Sequence, residues 1–135
     1  MSYKYTTRVY YHDTDAYGHV WHGTYLRWCE KGRMEYLRTI NLCMSELLEK
    51  YNIVIPIVEL NLRYKSVAHI DDLLEIETIV TKVGPTSLEF EQLIRNVETG
   101  TLCVKAEIKT VATDNNGKLY RKLPQVLCDL IKVEE

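Results

Sequence analysis

Apolar and polar residues alternate with a period of two over much of the chain, a pattern typical of β-strands with one buried face. After Pro56, four apolar residues alternate with charged and polar neighbours, and we expect them to form the buried face of a strand. These residues are Val58, Leu60, Leu62 and Tyr64. Segments rich in Val, Thr and Tyr and bounded by turn sequences predict four more strands. Those strands are expected at Tyr3–Tyr11, Leu74–Val83, Ser87–Val97 and Leu102–Thr113.

Near His22 the apolar period changes to that of a helix. The apolar stripe of this helix consists of Tyr25, Cys29, Gly32, Tyr36 and Ile40, with Leu26 and Leu37 at its edge. Glycine inside a helix costs about 1 kcal/mol relative to alanine, so Gly32 on the buried stripe indicates that another backbone comes close. Two short helices are also expected, at Met44–Tyr51 and from Pro124 to Lys132.

The order of elements is one strand, one long helix, and then four strands joined by short turns. Short turns join antiparallel strands, so this order predicts an α+β fold in which a five-stranded antiparallel sheet packs on one principal helix. A parallel, Rossmann-type nucleotide fold is excluded. One helix cannot cover both faces of five strands, so we expect a homodimer or homotetramer.

Composition narrows the class of protein further. With 135 residues, 46% of them apolar, the chain is expected to form a single domain over residues 1–135. Seventeen basic and nineteen acidic residues give a net charge of −2, and no basic cluster predicts a nucleic-acid partner. The sequence shows neither a signal peptide nor a membrane span. The four cysteines form no C-x-x-C pair and lie among apolar residues, which favours a cytoplasmic protein.

Candidate catalytic groups are concentrated in residues 12–22, which contain three of the four histidines. A carboxylate here would lie beside a helix N-terminus, whose backbone N–H groups can bind an oxyanion, and this pairing suits acyl transfer. The same carboxylates could instead form a turn or a helix cap. A divalent-metal site is a further alternative, with Asp13, Asp15, His19 and His22 as ligands. The D-x-D of aspartyl phosphotransferases is excluded because those enzymes use a parallel sheet.

The same segment carries a family resemblance. The run from Val9 to His22 (VYYHDTDAYGHVWH), followed by Tyr25 and by residues 30–35 (EKGRME), resembles the hotdog-fold acyl-CoA thioesterases of the 4-hydroxybenzoyl-CoA thioesterase family. Within that family it is similar to the bacterial Tol-Pal-associated branch. The resemblance implies that Asp15 is the catalytic carboxylate and that the backbone N–H of His22 polarises the thioester carbonyl. It also implies that Tyr11 lines the site.

The chemistry of a thioester agrees with this implication. Hydrolysis of a thioester requires only a carboxylate that attacks the carbonyl or activates a water, and an N–H donor for the oxyanion. No metal or organic cofactor is therefore expected. Nucleophilic and general-base roles for Asp15 both stay open.

Substrate-binding candidates lie on both sides of the helix. Tyr17 and Trp21 are candidates for the border of an acyl pocket, although aromatic residues at such spacings are often core residues. Arg63 and Lys65 are candidates for contacts with coenzyme A phosphates. The predicted function is hydrolysis of a small or medium acyl- or aroyl-CoA. The alternatives are a thioesterase acting on acyl carrier protein and a non-catalytic subunit that binds acyl ligands.

Overall fold

The computed structural model describes residues 2–133 and contains one sheet and three helices. The strands are β1 (Tyr3–Arg8), β2 (Ile57–Tyr64), β3 (Leu73–Val83), β4 (Ser87–Asn96) and β5 (Leu102–Val111). The helices are α1 (Thr24–Thr39), α2 (Met44–Tyr51) and α3 (Gln125–Leu130). All strand pairs are antiparallel, in the spatial order β1-β3-β4-β5-β2. The expected five-stranded antiparallel sheet packed on one long helix is therefore confirmed.

Helix α1 packs against β1 and β3 through the predicted apolar stripe. The stripe is buried along most of its length, although Ile40 at its end is only partly covered. Trp28 is also buried, so this aromatic side chain belongs to the core. The Tyr5 hydroxyl on β1 donates a hydrogen bond of 2.7 Å to the Trp28 carbonyl. This bond ties the first strand to the helix that follows the loop of residues 12–22.

The close approach predicted at Gly32 is present. A Cβ atom at this position would lie 2.7 Å from the Thr78 hydroxyl oxygen and 3.0 Å from the Gln92 side-chain nitrogen. That Gln92 side chain is fully buried, and its nitrogen donates to the Cys29 carbonyl and to Thr78, each at 2.8 Å. Arg33 donates to its oxygen at 2.9 Å, so the buried amide is satisfied. Because Gly32 has no side chain, α1 can approach the buried polar pair formed by Thr78 on β3 and Gln92 on β4.

We expect Gly32→Ala to lower the free energy of unfolding by about 1 to 2 kcal/mol. Alanine improves helix propensity by about 1 kcal/mol, but overpacking typically costs about 1 to 3 kcal/mol, and here the neighbouring atoms are buried. Urea unfolding followed by circular dichroism measures the change. Glu49→Ala, on an exposed part of α2, is the control and should change stability by less than about 0.5 kcal/mol. A stabilised Gly32→Ala variant would contradict the close approach.

Strand β2 differs from its predicted pattern. Val58 and Tyr64 are each 52% exposed and Leu60 is 43% exposed, so the expected buried face is wrong for the single chain. The first reason is that β2 is an edge strand, whereas α1 packs at the opposite end of the sheet. The second is a β-bulge between Ile57 and Glu59, which places Ile57 rather than Val58 in line with the inward-facing residues of β5.

Several element boundaries also differ from the expected ones. Strand β1 ends at Arg8 because residues Tyr11–Asp13 form a 3-10 turn. Helix α1 begins at Thr24, with Gly23 as its N-cap, so His22 lies just before the helix. Pro124 is the N-cap of α3, which ends at Leu130 rather than Lys132. Within residues 2–133, no helix is long and apolar enough to cross a membrane.

Candidate active site

The loop between β1 and α1 folds back on itself around Asp15. The Asp15 N–H donates to the His19 carbonyl at 2.8 Å, and the Gly18 N–H donates to the Asp15 carbonyl at 3.1 Å. Gly18 has a φ of +76°, in the left-handed region that glycine adopts without strain. Val20 then donates to the Ala68 carbonyl at 2.8 Å, which fastens the loop beside the segment after β2. The backbone therefore holds Asp15 in place before any substrate is bound.

The two carboxylate oxygens of Asp15 have different environments. Oδ1 accepts hydrogen bonds from the backbone N–H of Tyr17 at 2.9 Å and of His19 at 3.3 Å. Oδ2 has no hydrogen-bond or ion-pair partner within residues 2–133. Asp15 therefore does form a turn, the alternative to a catalytic role that the sequence left open. The turn uses only one of the two Asp15 carboxylate oxygens. Among the described residues the second oxygen is thus available to a ligand.

Asp13 is occupied by contacts within the fold. It is buried, and its Oδ2 accepts from the Tyr10 N–H at 3.0 Å. Its Oδ1 lies 3.4 Å from His12 Nε2 and 3.8 Å from the Arg27 guanidinium. Its carbonyl accepts from the Trp21 N–H and from the Thr24 hydroxyl. Asp13 therefore fastens the loop to the start of α1, which is a structural role.

His22 precedes the positive end of the α1 dipole. The Trp21 carbonyl accepts from the Thr24 N–H at 2.9 Å, and the His22 carbonyl accepts from the Tyr64 hydroxyl at 2.9 Å. The His22 N–H donates to no acceptor within the described residues 2–133. This N–H is thus a free donor. The carbonyl groups on either side of it, those of Trp21 and His22, both accept hydrogen bonds.

Asp15 and His22 line one open cavity of about 260 Å³ between the loop and the end of β2. Its other lining residues are His19, Val20, Tyr25, Tyr64, Lys65, Ser66 and Val67. The structure therefore brings together three of the predicted site residues, the third being Lys65. A free carboxylate oxygen and a free backbone donor beside the same cavity suit acyl transfer.

Four other predicted site residues do not line this cavity in the single chain. Tyr11 and Tyr17 are 85% and 84% exposed, and Trp21 is 49% exposed. Arg63 is exposed on β2, two positions before Lys65. The core alternative for Tyr17 and Trp21 is therefore wrong, because both rings face solvent. Their roles in binding stay predictions.

Tyr25 and Tyr64 line the cavity, although the sequence pattern assigned both to buried faces. Tyr25 is buried, its hydroxyl oxygen accepts from the Ala68 N–H at 3.3 Å, and burial raises its pKa to about 12. The two rings meet edge to face with centroids 5.7 Å apart. Tyr25 belongs to the segment that carries the family resemblance, whereas no local signal could have found Tyr64, since it reaches His22 across a separation of 42 residues.

The four candidate metal ligands are not gathered at one point. Asp13 is engaged with His12 and Arg27, while His19 and His22 line the cavity with Asp15. Among residues 2–133, no group of three or more His, Cys, Asp or Glu side chains is placed to hold a metal ion.

A second, more apolar cavity of about 360 Å³ lies between α1 and the sheet. It contains the Glu30 carboxylate and Arg33, but none of the predicted site residues. Glu30 lies inside α1, where the backbone N–H groups are used in helical hydrogen bonds. Within α1 no free backbone N–H therefore lies beside this carboxylate, in contrast to the unpaired His22 N–H in the cavity of Asp15.

Comparison with known proteins identifies the family of the chain. Residues 17–103 match the family model of the thioesterase superfamily, and Asp15 lies just before the matched segment. Acyl-CoA thioesterase YbgC of Haemophilus influenzae is 40% identical over 83% of this chain and 81% of its own length. Acyl-CoA thioester hydrolase YbgC of Escherichia coli is 36% identical over 91% of this chain and 90% of its own.

A solved structure has the same architecture. The 4-hydroxybenzoyl CoA thioesterase of a Pseudomonas strain aligns with a TM-score of 0.86 and 26% identity, covering 96% of this chain and 99% of that one. The family match, the relatives and the shared fold together define a hydrolase of thioesters with a hotdog architecture. The chain belongs to the thioesterase superfamily.

Proposed function

We propose that this protein hydrolyses an acyl-coenzyme A thioester to a free acid and coenzyme A, with Asp15 and His22 as its catalytic residues. The observation that carries the proposal is the free Asp15 Oδ2 in the same cavity as His22, whose backbone N–H is unpaired among the described residues. The named relatives act on acyl-CoA thioesters, which supports this substrate class.

Two routes are consistent with these groups. In the first, Asp15 takes a proton from a water whose oxygen attacks the thioester carbonyl, and the coenzyme A thiolate leaves. In the second, the Asp15 oxygen attacks the carbonyl itself and expels the thiolate, and water then hydrolyses the resulting anhydride. In both, the His22 N–H stabilises the negative charge that forms on the carbonyl oxygen.

We further propose that residues in and near the cavity bind the substrate. Lys65, just after the end of β2, lines the cavity and brings a positive charge that suits a coenzyme A phosphate. Arg63 lies two positions earlier, on β2. The exposed rings of Tyr11, Tyr17 and Trp21 lie on or next to the loop of residues 12–22. We assign them to contacts with the acyl or coenzyme A groups, because aromatic side chains provide large apolar contact areas.

The protein is further proposed to act as a homodimer or homotetramer. Strand β2 has one unpaired edge and exposes the apolar side chains of Ile57, Val58 and Leu60. An exposed apolar edge strand favours pairing with another chain. Because Tyr64 and Lys65 at the end of β2 line the cavity, a partner on this edge would lie beside the site. The four free cysteines support a reducing, cytoplasmic location.

A panel of thioesters tests the function. Release of free thiol should be followed with acyl-CoA substrates of varied chain length and aromaticity, and with the same acyl groups on acyl carrier protein. We expect turnover of at least one small or medium acyl- or aroyl-CoA. Preference for the carrier-protein series would favour the alternative thioesterase. Binding without turnover in either series would favour a non-catalytic acyl-binding subunit.

A further inference from the structure

Tyr64 reaches from the end of β2 into the catalytic loop. Its hydroxyl donates a hydrogen bond of 2.9 Å to the His22 carbonyl. The ring lines the cavity that contains Asp15 and packs edge to face on buried Tyr25. A side chain on the sheet is thus bonded to the backbone of the residue that supplies the free N–H.

His22 has few other restraints. It lies before the N-cap of α1, so the hydrogen bonds of the helix do not hold it. Its two peptide groups are each held at the carbonyl, one by the bond from the Thr24 N–H to Trp21 and the other by the bond from Tyr64. The Thr24 bond holds the peptide group that carries the His22 N–H, and the Tyr64 bond holds the next peptide group, on the other side of the His22 Cα atom. Loss of the Tyr64 bond leaves His22 restrained on one side only, so its backbone can shift relative to the cavity.

An oxyanion donor works because it is oriented before the charge forms and needs no reorganisation during the reaction. A donor residue whose backbone shifts relative to the cavity loses part of this advantage, although substrate still binds. Burial raises the pKa of Tyr64, so its hydroxyl keeps its proton and remains a donor at neutral pH. The Tyr64 bond therefore persists under the conditions in which a thioesterase acts.

We propose that Tyr64 is a positioning residue that fixes the His22 backbone as oxyanion donor, which rests on the proposed role of His22. Tyr64 acts through the His22 carbonyl, which restrains the donor residue on the side away from its N–H, and it forms no bond with the reacting atoms. Because Tyr64 belongs to the edge strand β2, the same bond connects the donor to the strand that we propose pairs with a partner.

Tyr64→Phe tests the proposal because it removes one hydroxyl and keeps the ring. We expect kcat to fall about tenfold, less than the roughly 10²- to 10³-fold loss on removing an oxyanion donor itself. KM should change less than about twofold, since the bond orients a donor used in the transition state. In amide NMR spectra, the His22 and Gly23 signals should shift or broaden.

Tyr120→Phe is a matched control. Tyr120 likewise donates its hydroxyl to a backbone carbonyl, that of Asn52, at 2.8 Å, and it does not line the Asp15 cavity. This variant should keep the kcat and KM of the unchanged protein. If Tyr64→Phe and Tyr120→Phe lower thermal stability equally and neither alters kcat, the Tyr64 bond is structural only and the proposal is wrong.

Asp15→Asn separates this inference from the function on which it rests. If Asp15→Asn is inactive and Tyr64→Phe keeps full kcat, the positioning role fails and the site assignment stands. If Asp15→Asn keeps full activity, the catalytic site is elsewhere and both assignments fail. A loss of kcat in both variants, with KM preserved in Tyr64→Phe, supports both.

Discussion

Asp15→Asn is expected to lower kcat by a factor on the order of 10² or more while the protein stays folded. Asparagine keeps a carbonyl oxygen that can accept the two backbone hydrogen bonds now made to Oδ1, so the loop should keep its shape. The oxygen that has no partner among the described residues becomes an amide nitrogen, which can neither attack a carbonyl nor accept a proton from water. Steady-state thiol release measures kcat, and circular dichroism verifies the fold.

Two other carboxylates provide controls for this result. Asp13→Asn should cost far less in kcat, and its effect should be a lower stability, because Asp13 is buried and fastens the loop. Glu30→Gln tests the carboxylate in the more apolar cavity and should leave kcat within a few-fold of the unchanged protein. Equal losses in Asp15→Asn and Asp13→Asn, or a larger loss in Glu30→Gln, would show that the catalytic carboxylate is misassigned.

Placing lysines on the β2 edge is expected to separate the subunits and to remove most of the activity. In the double variant Val58→Lys/Leu60→Lys, apolar side chains that are 52% and 43% exposed become charged. Like charges brought together by a symmetric contact repel each other and lose the apolar burial. Light scattering should change from a dimer or tetramer to a monomer, and kcat/KM should fall by about tenfold or more, since subunit interfaces commonly form part of ligand sites.

A matched double variant, Leu119→Lys/Leu130→Lys, makes the same change in charge at exposed leucines outside the sheet. It should keep both assembly and activity. A β2 variant that stays assembled would move the interface to another surface. A monomer with full activity at the assay concentration would refute a site that depends on the partner.

Most of the fold could be predicted from local patterns, because burial of one face gives strands and helices their own periods. Helix α2 was predicted at its observed boundaries, and the predicted β3, β4 and β5 lie within a few residues of their observed ends. Gly32 predicted a close packing partner because glycine is unfavourable inside a helix unless space is lacking. The ends of β1 and α1 were wrong because hydrogen bonds within the loop of residues 12–22 decide where these elements stop and start.

The site was predictable only in part. Asp15 and His22 belong to one short motif, so their resemblance to a known family was visible along the chain. Tyr25 belongs to the segment that carries this resemblance, but its helical pattern indicated only a buried residue, and Tyr64 lacks any such motif. Composition and spacing leave Asp13 and Asp15 equivalent, and only the family resemblance favoured Asp15. The hydrogen bonds of the two side chains supply a physical reason for the distinction.

The sequence by itself determined the kinds of elements, their order and the family, because these depend on residues close together along the chain. Only the tertiary structure decided that β2 is an exposed edge and that Tyr64 holds the His22 carbonyl. It also decided that one Asp15 oxygen has no partner among residues 2–133. The physical reason is that strand order and side-chain contacts arise from pairings between distant segments. Tyr64 and His22 are 42 residues apart, and only the packing of β2 beside the loop of residues 12–22 brings them within hydrogen-bonding distance.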